Sequence, residues 1–240
     1  LLVSAYGMGK SRIVDSMVHK ARKIDEDTRF VRTRCPNGGR PFRMWDGVIR
    51  TVFEIPADAD PESAGAQLMS ALKDDAGDEA HELASLIGSL LGYQVKGSQQ
   101  SREDDEAVVG RGTAAIIRVL GMVAAKRTLV IVVENANAAA RSSLTLASSL
   151  EASLRDRPVF LLLLGSPELE SSLSKRERVS ITSLPQLTKR EADQILRLFL
   201  AGIDDIPKEV GQRILENAHG NPYAIKSMVR YLREAGAIKL

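Results

Sequence analysis

The chain has 240 residues, 44% of them hydrophobic, a formal charge of +2 from 33 Lys and Arg against 31 Asp and Glu, and one cysteine. So even a balance excludes binding of nucleic acid through net charge alone, and a lone Cys35 excludes an internal disulfide, which fits a reducing, cytoplasmic compartment. The apolar fraction suffices for one large domain or a domain with a smaller appendage, and aromatics at 4% leave the core to Leu, Ile, Val, Ala and Met. The sequence shows no signal peptide and no apolar run long enough to cross a membrane. It opens inside an apolar stretch and reads as a fragment of something longer.

Residues 1–5 predict a short buried strand. It runs into Ser4-Ala5-Tyr6-Gly7-Met8-Gly9-Lys10-Ser11, which is the phosphate-loop pattern G-x-x-x-x-G-K-[ST] with Ser4 at the first glycine. Glycines let such a loop curl until its N–H groups face phosphate oxygens. Lys10 then reaches the β- and γ-phosphates, and the Ser11 hydroxyl ligates Mg²⁺. A helix over 10–24 adds its positive N-terminal end. Ile13, Val14, Met17, Val18 and Ala21 share its apolar face, and the cluster Lys20-Ala21-Arg22-Lys23 reads as a solvated face.

Thr28 to Cys35 reads as a second strand, with Cys35 a small buried hydrophobe. The three histidines (His19, His81, His219) show no partner pattern that would make it a nucleophile. Pro36 to Pro41 is a loop. A helix follows over Phe42–Phe53 with Met44, Val48, Ile49 and Val52 inward and Trp45 as a packing residue. After a Pro/Asp break at 56–62 the chain is acidic, Ala- and Leu-rich and helical to about 103, with a polar loop over Gly97–Asp105 and no chemistry to assign. Residues 106–125 predict a helix with Val108, Ile116, Ile117, Val119, Leu120 and Val123.

Thr128 to Asn135 is a continuous apolar run rich in β-branched residues, the mark of a parallel strand buried on both faces. It ends in Glu134, where a carboxylate beside a phosphate loop helps hold Mg²⁺. A helix over 141–156, a buried strand over 158–166, a helix over 167–175 and a last strand over 178–184 follow. Thr188 and Glu191 spell a capping box for a helix to about Ala201. Ile206-Pro207 opens a second helix, Gly220-Asn221-Pro222 breaks it at His219, and a third runs from Tyr223 to Glu234. There are no internal repeats. Strand–helix alternation predicts a three-layer α/β sandwich around a parallel sheet, with ligands at the C-terminal ends of the strands. Arg141, Arg176 and Arg178 each read either as an arginine finger or as a solvated surface arginine.

Several of these stretches together resemble the STAND-type AAA+ ATPase domain of large regulators: LuxR-type activators, kinase–ATPase fusions and soluble adenylyl cyclase-like proteins. Ser4 to Ile13 is similar to G-E-A-G-I-G-K-S-R-L. Val133 to Ala140 falls where that family has V-L-E-D-L-H-W-A-D. Leu184 to Ala192 resembles its entry to a helical lid, and Gly220-Asn221-Pro222-Tyr223 its lid motif G-N-P-[FY]. The resemblance is weakest over 56–105.

The resemblance implies a P-loop NTPase fold of the AAA+ type, with a nucleotide-binding α/β domain over 1–185 and a helical lid over 186–240. ATP or ADP with Mg²⁺ would meet Ser4, Gly7, Met8, Gly9, Lys10, Ser11 and Arg12, with Pro222 near the adenine. Ser11 and Glu134 would hold the metal, and Glu134 and Asn135 would take the catalytic position; Asn135 reads equally as a plain turn residue, and Pro222 as a helix-starting proline.

Asn135 stands where the family has a second acid. Asn137-Ala138-Ala139-Ala140 replaces H-W-A-D, and Gly165-Ser166-Pro167-Glu168 replaces an arginine-bearing T-x-R. These losses fall on hydrolysis, which needs a carboxylate for water and a cation for the γ-phosphate. The expectation is a nucleotide-binding regulatory switch with slow or absent hydrolysis, working with other domains of its polypeptide or a protein partner and forming a nucleotide-dependent oligomer. Its alternative is a non-catalytic interaction scaffold. A third reading, an origin-loader-like ATPase on DNA, needs a winged-helix domain after the lid, so nucleic acid enters only through domains outside this chain; no membrane contact is expected.

Overall fold

The computed structural model describes residues 1–38, 40–98, 106–173, 179–201 and 208–236. The expected finger candidates Arg176 and Arg178, the helix start Ile206-Pro207 and most of the 97–105 loop lie outside them. Five strands form one sheet: β1 (Leu2–Val3), β2 (Arg29–Arg34), β3 (Leu129–Glu134), β4 (Val159–Gly165) and β5 (Thr182–Ser183). Their order is β2-β3-β4-β1-β5 and every pairing is parallel. Parallel neighbours require crossover connections, which here are helical. The register sets Arg34 beside Glu134 and Val3 beside both Gly165 and Ser183. The C-terminal strand ends therefore share one edge, where residues 4–11 and Glu134 lie together.

The sheet is apolar on both faces because successive side chains alternate. Leu2, Val130, Val132 and Leu164 face α1 (Lys10–Ile24), whose buried residue is Val14. Val3, Val31, Leu129, Ile131, Val133 and Leu163 face the larger core built by the other helices. Those are α2 (Arg43–Val52), α3 (Pro61–Ala76), α4 (Ala80–Leu91), α5 (Glu106–Lys126), α6 (Arg141–Ser153) and α7 (Glu168–Leu173).

The acidic middle region is a helical hairpin. Asp60 caps α3 by accepting from the amides of Glu62 and Ser63, with Pro61 at the first helical position. The region expected to be helical is divided by a 3-10 turn at Gly77–Glu79, where Gly77 takes φ +53°. Buried Asp46 binds the hairpin to α2: it accepts from Tyr93 Oη at 2.6 Å and Arg50 Nε at 3.0 Å. Burial first, and then Asp46, push the Tyr93 phenol far up. Trp45 Nε1 donates to the Ser143 carbonyl at 2.9 Å, joining α2 to α6 in a fully buried contact.

Three expectations are corrected. Helix α5 is by length and composition apolar enough to cross a membrane, against the reading of the sequence; its buried face of Ile116, Val119, Leu120 and Ala124 belongs to the main core. Strand β4 is not buried along its length, since Phe160 is 51% exposed. Ile13 on α1 is 45% exposed because the helix meets the sheet along the Val14, Met17 and Val18 side.

The C-terminal helices are α8 (Lys189–Phe199), α9 (Lys208–Ala218) and α10 (Pro222–Glu234). They enclose a separate apolar cluster of Ala192, Leu196, Ile214, Ala218, Ile225 and Val229. The Thr188–Glu191 capping box forms as its spacing predicts.

Candidate functional site at the phosphate loop

Strand β1 delivers the chain to the loop, and the Ser4 amide continues the sheet by donating to Gly165 O at 3.1 Å. Gly7 and Gly9 take φ of +83° and +92°, the left-handed region that glycine enters without strain. Gly9 is the N-cap of α1 and supplies no side-chain cap, so the first amides of that helix are left for an anion. Met8 is buried, Arg12 is exposed on α1, and Tyr6 is 75% exposed.

Lys10 Nζ folds back over the loop. It donates to Ser4 O at 2.8 Å, Ser4 Oγ at 3.0 Å and Ala5 O at 3.0 Å. Partial burial lowers the pKa of this ammonium. The Ser4 hydroxyl, at the position of the missing glycine, thus adds a seat for the lysine.

Ser11 Oγ donates to Glu134 Oε2 at 2.7 Å, so the end of β3 and the start of α1 bring these two oxygen donors together. A hard cation such as Mg²⁺ takes oxygen ligands, commonly one or two carboxylates with phosphate oxygens and water, and this donor pair fits it. Among the described residues no group of three or more His, Cys, Asp or Glu forms a metal site on its own. The other carboxylate oxygen, Glu134 Oε1, accepts from Arg32 Nε at 2.7 Å and meets Arg32 Nη2 at 2.5 Å. Arg32 Nη1 also donates to Asp15 Oδ1, and that bond is the first cause holding the guanidinium pKa above its ordinary value.

Asn135 is placed differently. It sits at φ +58°, and its Nδ2 donates to Cys35 O and Asn37 Oδ1, both at 3.0 Å. Its amide N–H groups serve the loop after β2 rather than Ser11 or Glu134. At the end of β4, the Ser166 amide donates to Asn137 Oδ1 at 2.6 Å and Ser166 Oγ donates to Glu168, lowering that acid's pKa. Neutral and acidic groups thus follow the end of β4. Arg141 opens α6 and borders a cavity of about 580 Å³ with Asn137, Thr145 and Glu168. That cavity lies between α6 and α7 and includes no residue of the phosphate loop.

Pro222 is the first residue of α10, half-buried, directly after the N-cap Asn221. Asn221 Nδ2 donates to Tyr6 O at 2.8 Å, and the Tyr223 amide donates to Gly7 O at 3.2 Å. The Tyr6 and Tyr223 rings meet edge to face with centroids 5.4 Å apart. The Asn221-Pro222-Tyr223 segment therefore touches two carbonyls of the loop.

Arg32 was missed by reading the sequence, where it passes as one of several strand arginines. The signal was available: in parallel register, alternation puts Arg32 and Glu134 on the same sheet face, beside the start of the following helix.

Residues 1–163 match the model of the AAA ATPase domain family. No curated protein is matched. Among solved structures the chain is similar to Drosophila ORC bound to DNA, at 10% identity and a TM-score of 0.54, over 98% of this chain and 50% of that one. It is also similar to Cdc6p from Pyrobaculum aerophilum, at 13% identity and a TM-score of 0.52, over 98% of this chain and 55% of that one. The chain spans about half the length of these structures, and at such identities the likeness is one of fold.

Proposed function

Because the chain belongs to the AAA ATPase domain family, we propose that it is the nucleotide-binding switch of a larger regulatory protein. It takes ATP or ADP between the sheet edge and the C-terminal helices, with slow or absent hydrolysis. The observation that carries this reading is the meeting of Ser11 Oγ with Glu134 Oε2 at 2.7 Å beside the Lys10 ammonium. Lys10 would exchange Ser4 and Ala5 oxygens for phosphate oxygens, while the loop amides and the start of α1 receive the rest of the anion. Ser11 and Glu134 would hold Mg²⁺, which neutralises charge on the phosphate tail.

Slow turnover is supported by what surrounds Glu134. Asn135 is no carboxylate and its N–H groups are engaged elsewhere, and Ser166 and Glu168 supply no cation. A γ-phosphate that touches both loop and C-terminal helices would bias the position of the latter, which is the switch. We place the boundary between the two parts near residue 185, where the separate apolar cluster of the last three helices begins.

Calorimetry with Mg-ATP and Mg-ADP tests the reading: binding by the chain and its loss in Lys10→Ala are expected, and equal affinity in both proteins would end it. A second reading, a non-catalytic scaffold, is favoured by the engagement of Asn135. No phosphate release above the Lys10→Ala background, with binding intact and with the same hydrogen exchange across the last three helices in Mg-ATP and Mg-ADP, selects it. The DNA in the Drosophila structure belongs to that assembly, and a likeness at 10% identity brings only the fold here.

A further inference from the structure

Arg32 reaches two acids from the edge strand β2. Its Nε and Nη2 meet Glu134 Oε1 at 2.7 and 2.5 Å, and its Nη1 donates to Asp15 Oδ1. Asp15 lies on α1 four residues after Ser11, so the two share a helix side. Glu134 is therefore bound from both directions: Ser11 holds Oε2 and Arg32 holds Oε1. A guanidinium carries five donors in a rigid fork and can be satisfied by either carboxylate. Beside it, a cavity of about 320 Å³ bordered by Asp15, His19, Arg22, Phe30 and Arg32 leaves room for the side chain to turn. Arg22 does not compete for the acids, since its guanidinium lies over the Phe30 ring, 5.4 Å from the centroid.

We infer that Arg32 and a divalent cation compete for Glu134, and that Asp15 is the holding seat that retains the guanidinium when the cation takes the carboxylate. With Arg32 on Glu134 the carboxylate's charge is largely cancelled and its pull on a cation is weak. With Arg32 held by Asp15 alone, Glu134 presents its full charge beside the Ser11 hydroxyl. Asp15 thus acts as a positioning residue, one helical turn away from any metal ligand. The inference rests on the proposed function only for the identity of the cation and its two ligands. It gives Arg32 and Asp15 opposite effects: losing Arg32 strengthens the cation site, and losing Asp15 weakens it by leaving Arg32 wholly on Glu134.

The test uses the nucleotide-free protein and Mn²⁺ as probe, with free Mn²⁺ followed by electron paramagnetic resonance. Arg32→Gln is expected to bind Mn²⁺ several-fold more tightly than the unaltered chain, and Asp15→Asn several-fold more weakly. Arg32→Lys, which keeps the charge without the fork, should fall between the glutamine variant and the unaltered chain, and it guards against a folding defect in the former. Glu134→Gln should remove the site. Equal Mn²⁺ affinity in the unaltered chain, Arg32→Gln and Asp15→Asn, or no Mn²⁺ binding in any of them, overturns the inference. The ordered series without nucleotide binding would fault the proposed function alone. Nucleotide binding with a flat series would fault the seat alone.

Discussion

Asn221 and Tyr6 are 215 residues apart and are joined by one hydrogen bond, from Asn221 Nδ2 to the Tyr6 carbonyl at 2.8 Å. The same side chain caps α10, its Oδ1 accepting from the amides of Tyr223 at 3.0 Å and Ala224 at 3.2 Å. One amide thus starts a helix with its oxygen and grips the phosphate loop with its nitrogen. In a phosphate loop the amides face inward and carbonyls face out, so this grip falls on the side that leaves the anion site open.

Asn221→Ala should therefore cost more than an ordinary cap. Loss of the cap alone is worth about 1 kcal/mol. Hydrogen exchange should also quicken at residues 5–9, far along the chain from the substitution. An effect confined to α10 would mean that the grip does not order the loop.

Gly7→Ala should be more damaging. A methyl group there would sit 2.7 Å from both Asn221 Oδ1 and Tyr223 Cβ, on backbone at φ +83°. Strain of this kind is typically about 1–3 kcal/mol. Relief by withdrawal of α10 predicts faster exchange across α8, α9 and α10 with the sheet unaffected.

Lys10→Ala removes charge-assisted hydrogen bonds worth about 1.5–3 kcal/mol each. Nucleotide affinity measured by calorimetry should fall by at least about tenfold. Ser4→Gly should act in the opposite direction. It deletes the 3.0 Å hydroxyl contact that helps keep Lys10 on the loop, and a roughly two- to fivefold tighter Kd is expected from a neutral partner of this kind.

The capping box gives a pH dependence. Thr188 donates through both its amide and its hydroxyl to the Glu191 carboxylate, and the side-chain bond first, then the backbone bond, lower the Glu191 pKa. A carboxyl group depressed in the folded state contributes stability that is complete above its unfolded pKa and disappears as pH falls through the folded one. The contribution should fade from about pH 4.5 downward. The Glu191 carboxyl resonance, titrated by NMR, should have its midpoint below the usual glutamate range and move back toward that range in Thr188→Ala, which removes the hydroxyl bond and keeps the backbone one.

Ala140 is the N-cap of α6 and supplies no side-chain cap. Ala140→Asp should raise stability by about 0.5–2 kcal/mol through a cap and a favourable charge at the helix start. An unchanged Tm would count against a free N-terminus there.

Local signals carried the fold a long way. The β3 run, the Gly-Lys-Ser turn and the Thr188–Glu191 spacing each depend on neighbours in the chain, and each was legible. Asn135 was legible only as two alternatives, a substitute acid position or a turn residue; its left-handed backbone fits the turn and points the amide toward Cys35 and Asn37, a contact spanning about a hundred residues. Arg32 was hidden for a related reason, because its meaning depends on which strand pairs with β2. Phe160 reads as inward from its apolar run and Ile13 from helical spacing, yet exposure follows from where a helix covers the sheet, which neither signal encodes.

Trp45 is the chain's single tryptophan, and it is sealed at the seam of α2 and α6. Its fluorescence is thus an optical gauge of that layer and of nothing past Leu184. Tyr223 and Tyr231 lie on α10, but their emission overlaps that of Tyr6 and Tyr93 in the rest of the chain. Heating followed at the tryptophan band and by far-ultraviolet circular dichroism, which sees every helix, would separate melting of the layer around Trp45 from departure of the last helices, without attaching any dye.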